Sequence, residues 1–203
     1  MSAPVFLLAT NNAGKLAELR PIVASLGLEC VSMREAGISS DPEETGSTFE
    51  ENALIKARAA MEASGMPAAA DDSGLMVDAL DGAPGVMSAR FAGGHDVSDA
   101  EKCAFLLQKM ADKEQRSARF VSCIACVFPD GGEITARGEC EGSIIRAPRG
   151  ESGFGYDPVF VPEGFGETFA ELGPEIKNGI SHRARALRAF GEELARYLGR
   201  QTC

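Results

Sequence analysis

The sequence predicts an α/β protein. A short apolar run at residues 5–10 ends in polar residues and has the length of a buried strand. Between Leu16 and Leu26, apolar residues recur at three- and four-residue spacing, which is typical of a helix, and Gly27 then marks its end. A second short strand follows at residues 28–33. Because a strand, a helix and a strand follow one another, we expect a sheet with helices packed against it.

The middle of the chain continues this alternation. Ser47 and Glu50 have the spacing of a capping box, which predicts a helix from there to about Ala63. The apolar residues 68–70 then lead into Asp71-Asp72. We therefore expect these two acids at the end of a strand, which is where open α/β sheets bind ligands.

The second half contains a hairpin and two helices. Ser98 or Asp99 could cap one helix, and Ser181 could cap the last. Residues 118–128 and 133–147 form two β-rich runs joined by a Pro-Asp-Gly-Gly turn, which predicts a hairpin. If the chain has two lobes, we expect this hairpin region to form the second.

Length and charge narrow the functional classes. The 203 residues fit one domain or two closely packed lobes. Thirty acidic against twenty basic residues give a net charge of −10. Non-specific nucleic-acid binding needs a broad basic surface and is therefore not expected. A small anionic ligand would need locally concentrated positive charge or a metal ion.

Few features of the sequence indicate a cellular location or a redox role for the cysteines. The chain starts without a basic cluster, and no stretch approaches the roughly 18 apolar residues of a membrane span. We expect a cytoplasmic protein that does not bind a membrane, with its six scattered cysteines as free thiols. Cys123 and Cys126 lack the further ligands of a zinc site, so we interpret both as strand residues.

A candidate phosphate-binding segment lies between the first strand and the first helix. Helix N-termini offer unpaired N–H groups and a positive dipole end, and a lysine adds charge. Leu16 stands where a Walker A loop requires Ser or Thr, so the segment is not a Walker A loop. A plain strand–helix turn with a surface lysine is the alternative. The segment consists of Thr10, Asn11, Asn12, Ala13, Gly14 and Lys15.

Paired acids offer a candidate metal site. Mg²⁺ prefers oxygen ligands and needs only one or two carboxylates besides substrate phosphates. The pairs Glu43-Glu44 and Asp71-Asp72 could supply them. The alternative is that they belong to a solvated turn and to helix caps.

Two segments near the C-terminus could bind a base. In Ser152–Pro158, Phe154 offers a flat face for stacking and Asp157 could accept hydrogen bonds from a base edge. Packed aromatics in a β-turn are the alternative. Lys177, with Ser181-His182-Arg183, concentrates positive charge in an acidic protein, although a lone histidine such as His182 is more often structural.

Together these motifs give the chain a resemblance to a known family. From Val5 to about Leu198, it resembles the inosine/xanthosine triphosphate pyrophosphatases. The matching segments are Ala9-Thr10-Asn11-Asn12-Ala13-Gly14-Lys15, Glu43-Glu44-Thr45-Gly46-Ser47-Thr48-Phe49, Glu51-Asn52-Ala53, Lys56-Ala57, Ala70-Asp71-Asp72-Ser73-Gly74-Leu75, residues 85–90, residues 153–160 and Ser181-His182-Arg183.

The resemblance implies a fold and a reaction. The implied fold is a single domain over residues 1–203, with a long mixed β-sheet flanked by helices and two lobes around a central nucleotide cleft. The implied reaction is Mg²⁺-dependent hydrolysis of non-standard purine nucleoside triphosphates (ITP, dITP, XTP) to the monophosphate and pyrophosphate. The implied assembly is a homodimer.

The resemblance also implies site roles. Asp72 would be the catalytic acid, as general base or metal ligand, with Asp71 as the alternative base. Glu43 would be the second metal ligand, with Glu44 as the alternative. Lys15 and Lys56 would be the other catalytic residues, and they would hold the phosphates together with the rest of the segment from Thr10 to Lys15. The remaining substrate contacts would come from Ser73, Phe154, Gly155, Tyr156, Asp157, Lys177, His182 and Arg183.

Three other functions remain open at this stage. A nucleotide-binding sensor without turnover would keep Lys15 and Phe154 but would not need the paired acids. A hydrolase of modified pyrimidine triphosphates could share the layout. A nucleotide kinase is disfavoured by the missing Walker A pattern.

Overall fold

The computed structural model describes residues 5–10, 13–94 and 97–201, which form a mixed α/β sheet structure. Within this part of the chain, the strands pair in the order β2-β1-β3-β4-β5-β6. β1 is parallel to β2 and β3, whereas β6 is antiparallel to β5. The predicted fold class is thereby confirmed. The strands are β1 (Val5–Leu8), β2 (Glu29–Ser32), β3 (Ala68–Val77), β4 (Ser117–Val127), β5 (Glu133–Ile144) and β6 (Phe160–Pro162). The helices are α1 (Ala13–Ser25), α2 (Phe49–Ser64), α3 (Asp99–Lys109), α4 (Pro174–Ile180) and α5 (His182–Gln201).

The two aspartates lie inside β3, so the prediction that they end a strand is wrong. β1 pairs with only the start of β3, where Leu7 lies opposite Ala68 and Leu8 opposite Ala69. β3 continues past this point to Val77 because its apolar residues resume after the acids. The acids nevertheless follow the carboxyl end of β1, which is the edge where α/β sheets bind ligands.

The chain divides into two compact units. Among the described residues, unit 1 takes those of Met1–Asp72, Ser122–Gly138 and Arg185–Cys203, and unit 2 those of Ser73–Val121 and Glu139–Ala184. The turn of the β4–β5 hairpin belongs to unit 1. The expectation that the hairpin region forms the second lobe is therefore wrong, because each hairpin strand contributes to both units.

The core of unit 1 joins the first strand to the last helix. Phe6 of β1 packs edge-to-face against Phe128, with ring centroids 5.9 Å apart. Leu187, Phe190 and Leu194 of α5 are buried in the same cluster, at the spacing of one helix face. Burial of each large apolar side chain stabilises the fold by about 1.5–3 kcal/mol.

The core of unit 2 is rich in aromatic residues. Phe120 of β4 contacts Phe160 at 4.7 Å and Phe169 at 6.0 Å between ring centroids. Leu106 and Met110, one turn apart at the end of α3, are fully buried in this cluster. The apolar face of α3 thereby fixes that helix against the strands.

Helix caps follow the sequence signals with one shift. α2 is capped by Thr48, whose hydroxyl accepts a hydrogen bond from Glu51 N, rather than by the predicted Ser47–Glu50 pair. α3 is capped by Ser98, one of the two candidates that the sequence offered. Ser181 precedes α5, and its hydroxyl accepts from Ala184 N. The short helix α4, which begins at Pro174 directly after Gly173, is absent from the sequence prediction.

No helix among the described residues is long and apolar enough to cross a bilayer.

Five cysteines are free thiols: Cys30, Cys103, Cys123, Cys126 and Cys140. Cys203 lies outside the described residues. The prediction of free thiols is confirmed for these five. Burial raises the pKa of the Cys103 and Cys123 thiols to about 11, so both stay protonated at neutral pH.

Candidate active site

Two carboxylates and one lysine meet in unit 1. Lys56 Nζ on α2 lies 2.9 Å from Asp72 Oδ1 on β3 and 3.0 Å from Glu44 Oε1 in the loop before α2. The three side chains are largely shielded, with 19%, 13% and 30% of their surface exposed. We call Glu44, Lys56 and Asp72 the acid–lysine cluster. It brings together two of the three predicted catalytic residues.

The cluster favours Glu44 over Glu43 as the second acid. Glu44 is half-buried and contacts Lys56, whereas Glu43 is exposed. Exposure alternates along residues 41–46, and Glu44 falls on the shielded side whereas Glu43 falls on the solvent side. The structure thus supports the alternative that the sequence left open.

Asn52 contacts the acid–lysine cluster from the same helix as Lys56. The sequence reasoning assigned Asn52 no role. It is fully buried on α2, four residues before Lys56 and therefore on the same helix face. Its Nδ2 lies 3.5 Å from Asp72 Oδ2, and its Oδ1 accepts a 2.8 Å hydrogen bond from Gly46 N. The four-residue spacing from Lys56 was the signal that could have identified it.

Lys15 pairs with the other aspartate. It is the third residue of α1, and its Nζ lies 2.9 Å from Asp71 Oδ1. Only 5% of the Asp71 side chain is exposed, and its Oδ2 has no hydrogen-bond partner among the described residues. Thr10 lies two residues after the end of β1. Asn11 and Asn12 lie outside the described residues, and of Ala13 and Gly14 the structure describes only the backbone at the start of α1.

Burial and charge perturb the cluster in opposite ways. Burial raises the pKa of Asp72; the Lys56 ammonium opposes this rise, and the Glu44 charge adds to it. For Lys56, burial lowers the pKa, but the Asp72 and Glu44 carboxylates outweigh it and the net pKa is raised. Lys56 therefore stays charged, and Asp72 binds a proton more readily than a free carboxylate.

The donor set of the cluster fits a magnesium ion that substrate completes. No group of three His, Cys, Asp or Glu side chains is gathered to hold a metal in the described part of the chain. Two carboxylates nevertheless already converge on one cation, the Lys56 ammonium. Because Mg²⁺ takes one or two carboxylates and fills its other positions with water and phosphate oxygens, Asp72 and Glu44 meet its requirement.

Unit 2 contains a pocket of about 200 Å³. Every base-side residue predicted from the sequence lines it, although these residues come from three separate stretches. The sequence reasoning assigned no role to six further lining residues: three lie in the matching segments at 70–75 and 85–90, and the other three lie in none of the matching segments. The predicted lining residues are Ser73, Phe154, Gly155, Tyr156, Asp157, Lys177, His182 and Arg183. The missed ones are Gly74, Ser88, Ala89, Asp99, Lys102 and Phe120.

Phe154 presents an exposed ring beside two cations. It is 57% exposed, which is unusual for a large apolar residue. Lys177 Nζ lies 4.5 Å from its ring centroid, and Arg183 Cζ lies 5.6 Å from it. Such cation–π contacts fix the ring's orientation and leave a flat face for stacking.

Asp157 organises the loop that carries Phe154. It is buried, and its Oδ2 accepts hydrogen bonds from Phe154 N at 2.9 Å and from Lys177 Nζ. This oxygen is therefore committed to the protein rather than to the base edge suggested by the sequence. Gly153 permits the arrangement: its φ is +83°, and a Cβ there would lie 2.2 Å from Asp157 Oδ2.

His182 forms a buried, uncharged wall of the pocket. Its ring stacks on Phe120 with centroids 4.8 Å apart and planes 14° apart. Burial, reinforced by the charges of Arg183 and Lys177, holds its pKa well below 6.5. Its Nδ1 has no hydrogen-bond partner within the described residues, so the ring keeps an unused polar atom.

Comparisons with known proteins identify relatives of this chain. The Ham1 family model matches residues 6–193. A dITP/XTP pyrophosphatase of Symbiobacterium thermophilum is 53% identical, over 96% of both chains. A HAM1 protein structure from Coxiella burnetii has a TM-score of 0.89 at 43% identity and covers 95% of this chain and 99% of its own.

A second solved structure is similar. The nucleoside-triphosphatase, or dITP/XTP pyrophosphatase, of Mycobacterium abscessus has a TM-score of 0.80 at 48% identity and covers 92% of this chain and 97% of its own. These matches extend over almost the whole chain and confirm the resemblance suggested by the sequence motifs. This chain is therefore a member of the Ham1 family.

Proposed function

We propose that this protein is an enzyme that hydrolyses non-standard purine nucleoside triphosphates, namely dITP, ITP and XTP, to the nucleoside monophosphate and pyrophosphate. The names of its relatives support the substrate class. The observation that carries the proposal is the acid–lysine cluster, because it joins two carboxylates and a shielded cation beyond the carboxyl end of β1. A simple binding protein has no need of the second carboxylate.

The acids would hold the cofactor. Asp72 and Glu44 would bind Mg²⁺, which when bound offsets phosphate charge and favours ionisation of water. Displacement of the Lys56 ammonium from the two carboxylates would free it for a phosphate oxygen. Lys56 and Lys15, with Thr10 and the segment up to Gly14, then bind the triphosphate.

Asp72 acts on the attacking water. It accepts the water's proton while the oxygen attacks the α-phosphorus and pyrophosphate leaves. Asp72 is favoured over Asp71 because burial raises the pKa of Asp72, so that it takes up a proton more readily than a free carboxylate. Asn52 orients Asp72 through its side-chain amide.

The unit 2 pocket selects the base. Phe154 stacks on the purine, and Lys177 or Arg183 donates to the 6-oxo group of hypoxanthine or xanthine. Adenine presents an amine at this position and would leave the donor unpaired, at a cost of roughly 1–3 kcal/mol. This preference corresponds to about 5- to 150-fold in kcat/KM.

The decisive experiment measures pyrophosphate release from dITP, XTP, dATP and a modified pyrimidine triphosphate, with and without Mg²⁺. We expect fast Mg²⁺-dependent release from the first two, lost in Asp72→Asn and Glu44→Gln but retained in Glu43→Gln. Lys56→Met should also lose release. Its control, Arg58→Met, should retain release, because Arg58 lies on the same helix and pairs with Glu133 instead of the cluster acids.

Each other outcome identifies a rival. Binding of dITP without release would establish a sensor. Equal release from all four substrates would refute the base pocket, and preference for modified pyrimidine triphosphates would change the substrate class. Loss of activity in Glu43→Gln but not in Glu44→Gln would reverse the ligand assignment.

The cellular setting follows from the same proposal. The enzyme acts as a cytoplasmic homodimer on free nucleotides and does not bind nucleic acid. Its net charge of −10 supports the last point, and the family resemblance supports the dimer. The single domain with two lobes and a nucleotide cleft remains a prediction of that resemblance. Analytical ultracentrifugation at micromolar concentration tests the dimer.

A further inference from the structure

Helix α3 holds both sides of Gly155 in the Phe154 loop. Asp99, the first residue of α3, accepts a 2.6 Å hydrogen bond from Gly155 N through its Oδ2. Cys103, one helical turn later, directs its thiol at Gly155 O with 3.3 Å between sulfur and oxygen. The two side chains share one helix face because they are four residues apart.

These two contacts restrain both backbone torsions of Gly155. The N–H belongs to the peptide that joins Phe154 to Gly155, and the C=O belongs to the next peptide. Holding both peptide planes fixes φ and ψ between them. Gly155 needs this restraint because its φ is +61° and glycine moves readily between many conformations.

The Cys103 thiol has the protonation state that its contact with Gly155 requires. Burial, together with the charges of Asp99 and Asp157, raises the pKa of Cys103 to about 11, so the thiol keeps its proton at neutral pH. Asp99 Oδ1 pairs with Lys102 Nζ at 3.2 Å, which orients the carboxylate. A charged acceptor makes the stronger bond to the Gly155 amide.

We infer that Asp99 and Cys103 are positioning residues for the base: they fix Gly155 so that Phe154 stands in the orientation that stacks on a purine. Asp157 holds the N–H on the other side of Phe154, so the ring's backbone is restrained from both directions. This inference rests on the proposed function. It goes beyond that function because it assigns part of the base affinity to α3, a helix that contains none of the motifs identified in the sequence.

Four variants and one control test the assignment. Asp99→Ala removes the acceptor, whereas Asp99→Asn retains an amide oxygen that can accept from Gly155 N. Cys103→Ala removes the donor, and Cys103→Ser keeps one. Glu101→Ala is the matched control, because Glu101 caps α3 through Ser98 and is part of the structural cap only.

We expect Asp99→Ala to raise KM for dITP about fivefold, which corresponds to the loss of one partly exposed charge-assisted hydrogen bond. The ratio of kcat/KM for dITP to that for dATP should fall with it. Asp99→Asn should stay near wild type. Cys103→Ala should raise KM by about twofold and Cys103→Ser should restore it. Glu101→Ala should lower the unfolding midpoint but leave KM unchanged.

The inference is overturned if Asp99→Ala lowers only kcat, since a smaller folded fraction changes kcat and not KM. It is also overturned if Glu101→Ala raises KM equally, since α3 stability would then explain the effect. If Asp99→Ala does not fold, the Cys103→Ala and Cys103→Ser pair decides. Calorimetric binding of dIMP to each variant separates the two proposals: if wild type releases no pyrophosphate, the proposed function fails, yet the dIMP affinities still test the positioning.

Discussion

The buried His182 should make the protein less stable in mild acid. In the unfolded chain its pKa is near 6.5, whereas in the folded protein burial and the charges of Arg183 and Lys177 hold it well below that value. Below pH 6.5, the unfolded state therefore binds a proton that the folded state does not. The free energy of unfolding falls as the pH falls, and the loss continues until the folded-state pKa is reached.

The magnitude follows from that difference. If the folded ring stays neutral, the unfolded histidine alone removes about 2 kcal/mol of stability between pH 7 and pH 5. Other groups also titrate in this range, so the quantity to compare is the difference between wild type and His182→Gln. We expect the variant to lose about 2 kcal/mol less over the same interval.

Urea unfolding at pH 7, 6 and 5 measures this effect. Ser98→Ala is the control: it removes the α3 cap in the same unit, costs about 1 kcal/mol, and leaves His182 in place. Its pH slope should equal that of wild type. Parallel slopes for His182→Gln and wild type would show that His182 takes up its proton without cost in the folded state, and the reasoning would be refuted.

Two further predictions concern the backbone. Gly153→Ala should cost about 1–3 kcal/mol and raise KM for dITP, because the methyl would meet Asp157 at a left-handed backbone position; Gly164→Ala, with similar φ and open space, should lower stability but not raise KM, and equal KM values would contradict this. Thr48→Ala should destabilise α2 by about 1 kcal/mol, more than Ser47→Ala, in thermal unfolding; the reverse order would place the cap at Ser47.

The sequence was most informative where the chemistry is local. Ser98 and Ser181 were identified as caps because a cap depends on residues within one turn. The α2 cap was displaced by one residue, since Ser47 with Glu50 and Thr48 with Glu51 offer the same spacing. Only the path of the preceding loop selects between them.

Which charged side chains are buried could not be predicted from the sequence. Asp71 is enclosed within β3 because Lys15 reaches it from α1, and the two residues are far apart in sequence. The choice of Glu44 over Glu43 has the same origin, since the partner is Lys56 on the following helix. Asp99 and Cys103 formed no motif, and their meeting with Gly155 depends on a contact across about fifty residues.

The composition of unit 1 has a consequence for synthesis of the protein. Phe6 and Leu8 are buried against Leu187 and Phe190, which are synthesised about 180 residues later. At about 5–20 residues per second, the interval between them on the ribosome is roughly 10–35 s. During this time the emerging first strand exposes apolar surface and cannot reach its final partners. The residues of Ser73–Val121 and Glu139–Ala184, in contrast, are all made before Leu187. The core of unit 1 is therefore completed only after α5 has been synthesised, and until then its apolar residues can bind chaperones.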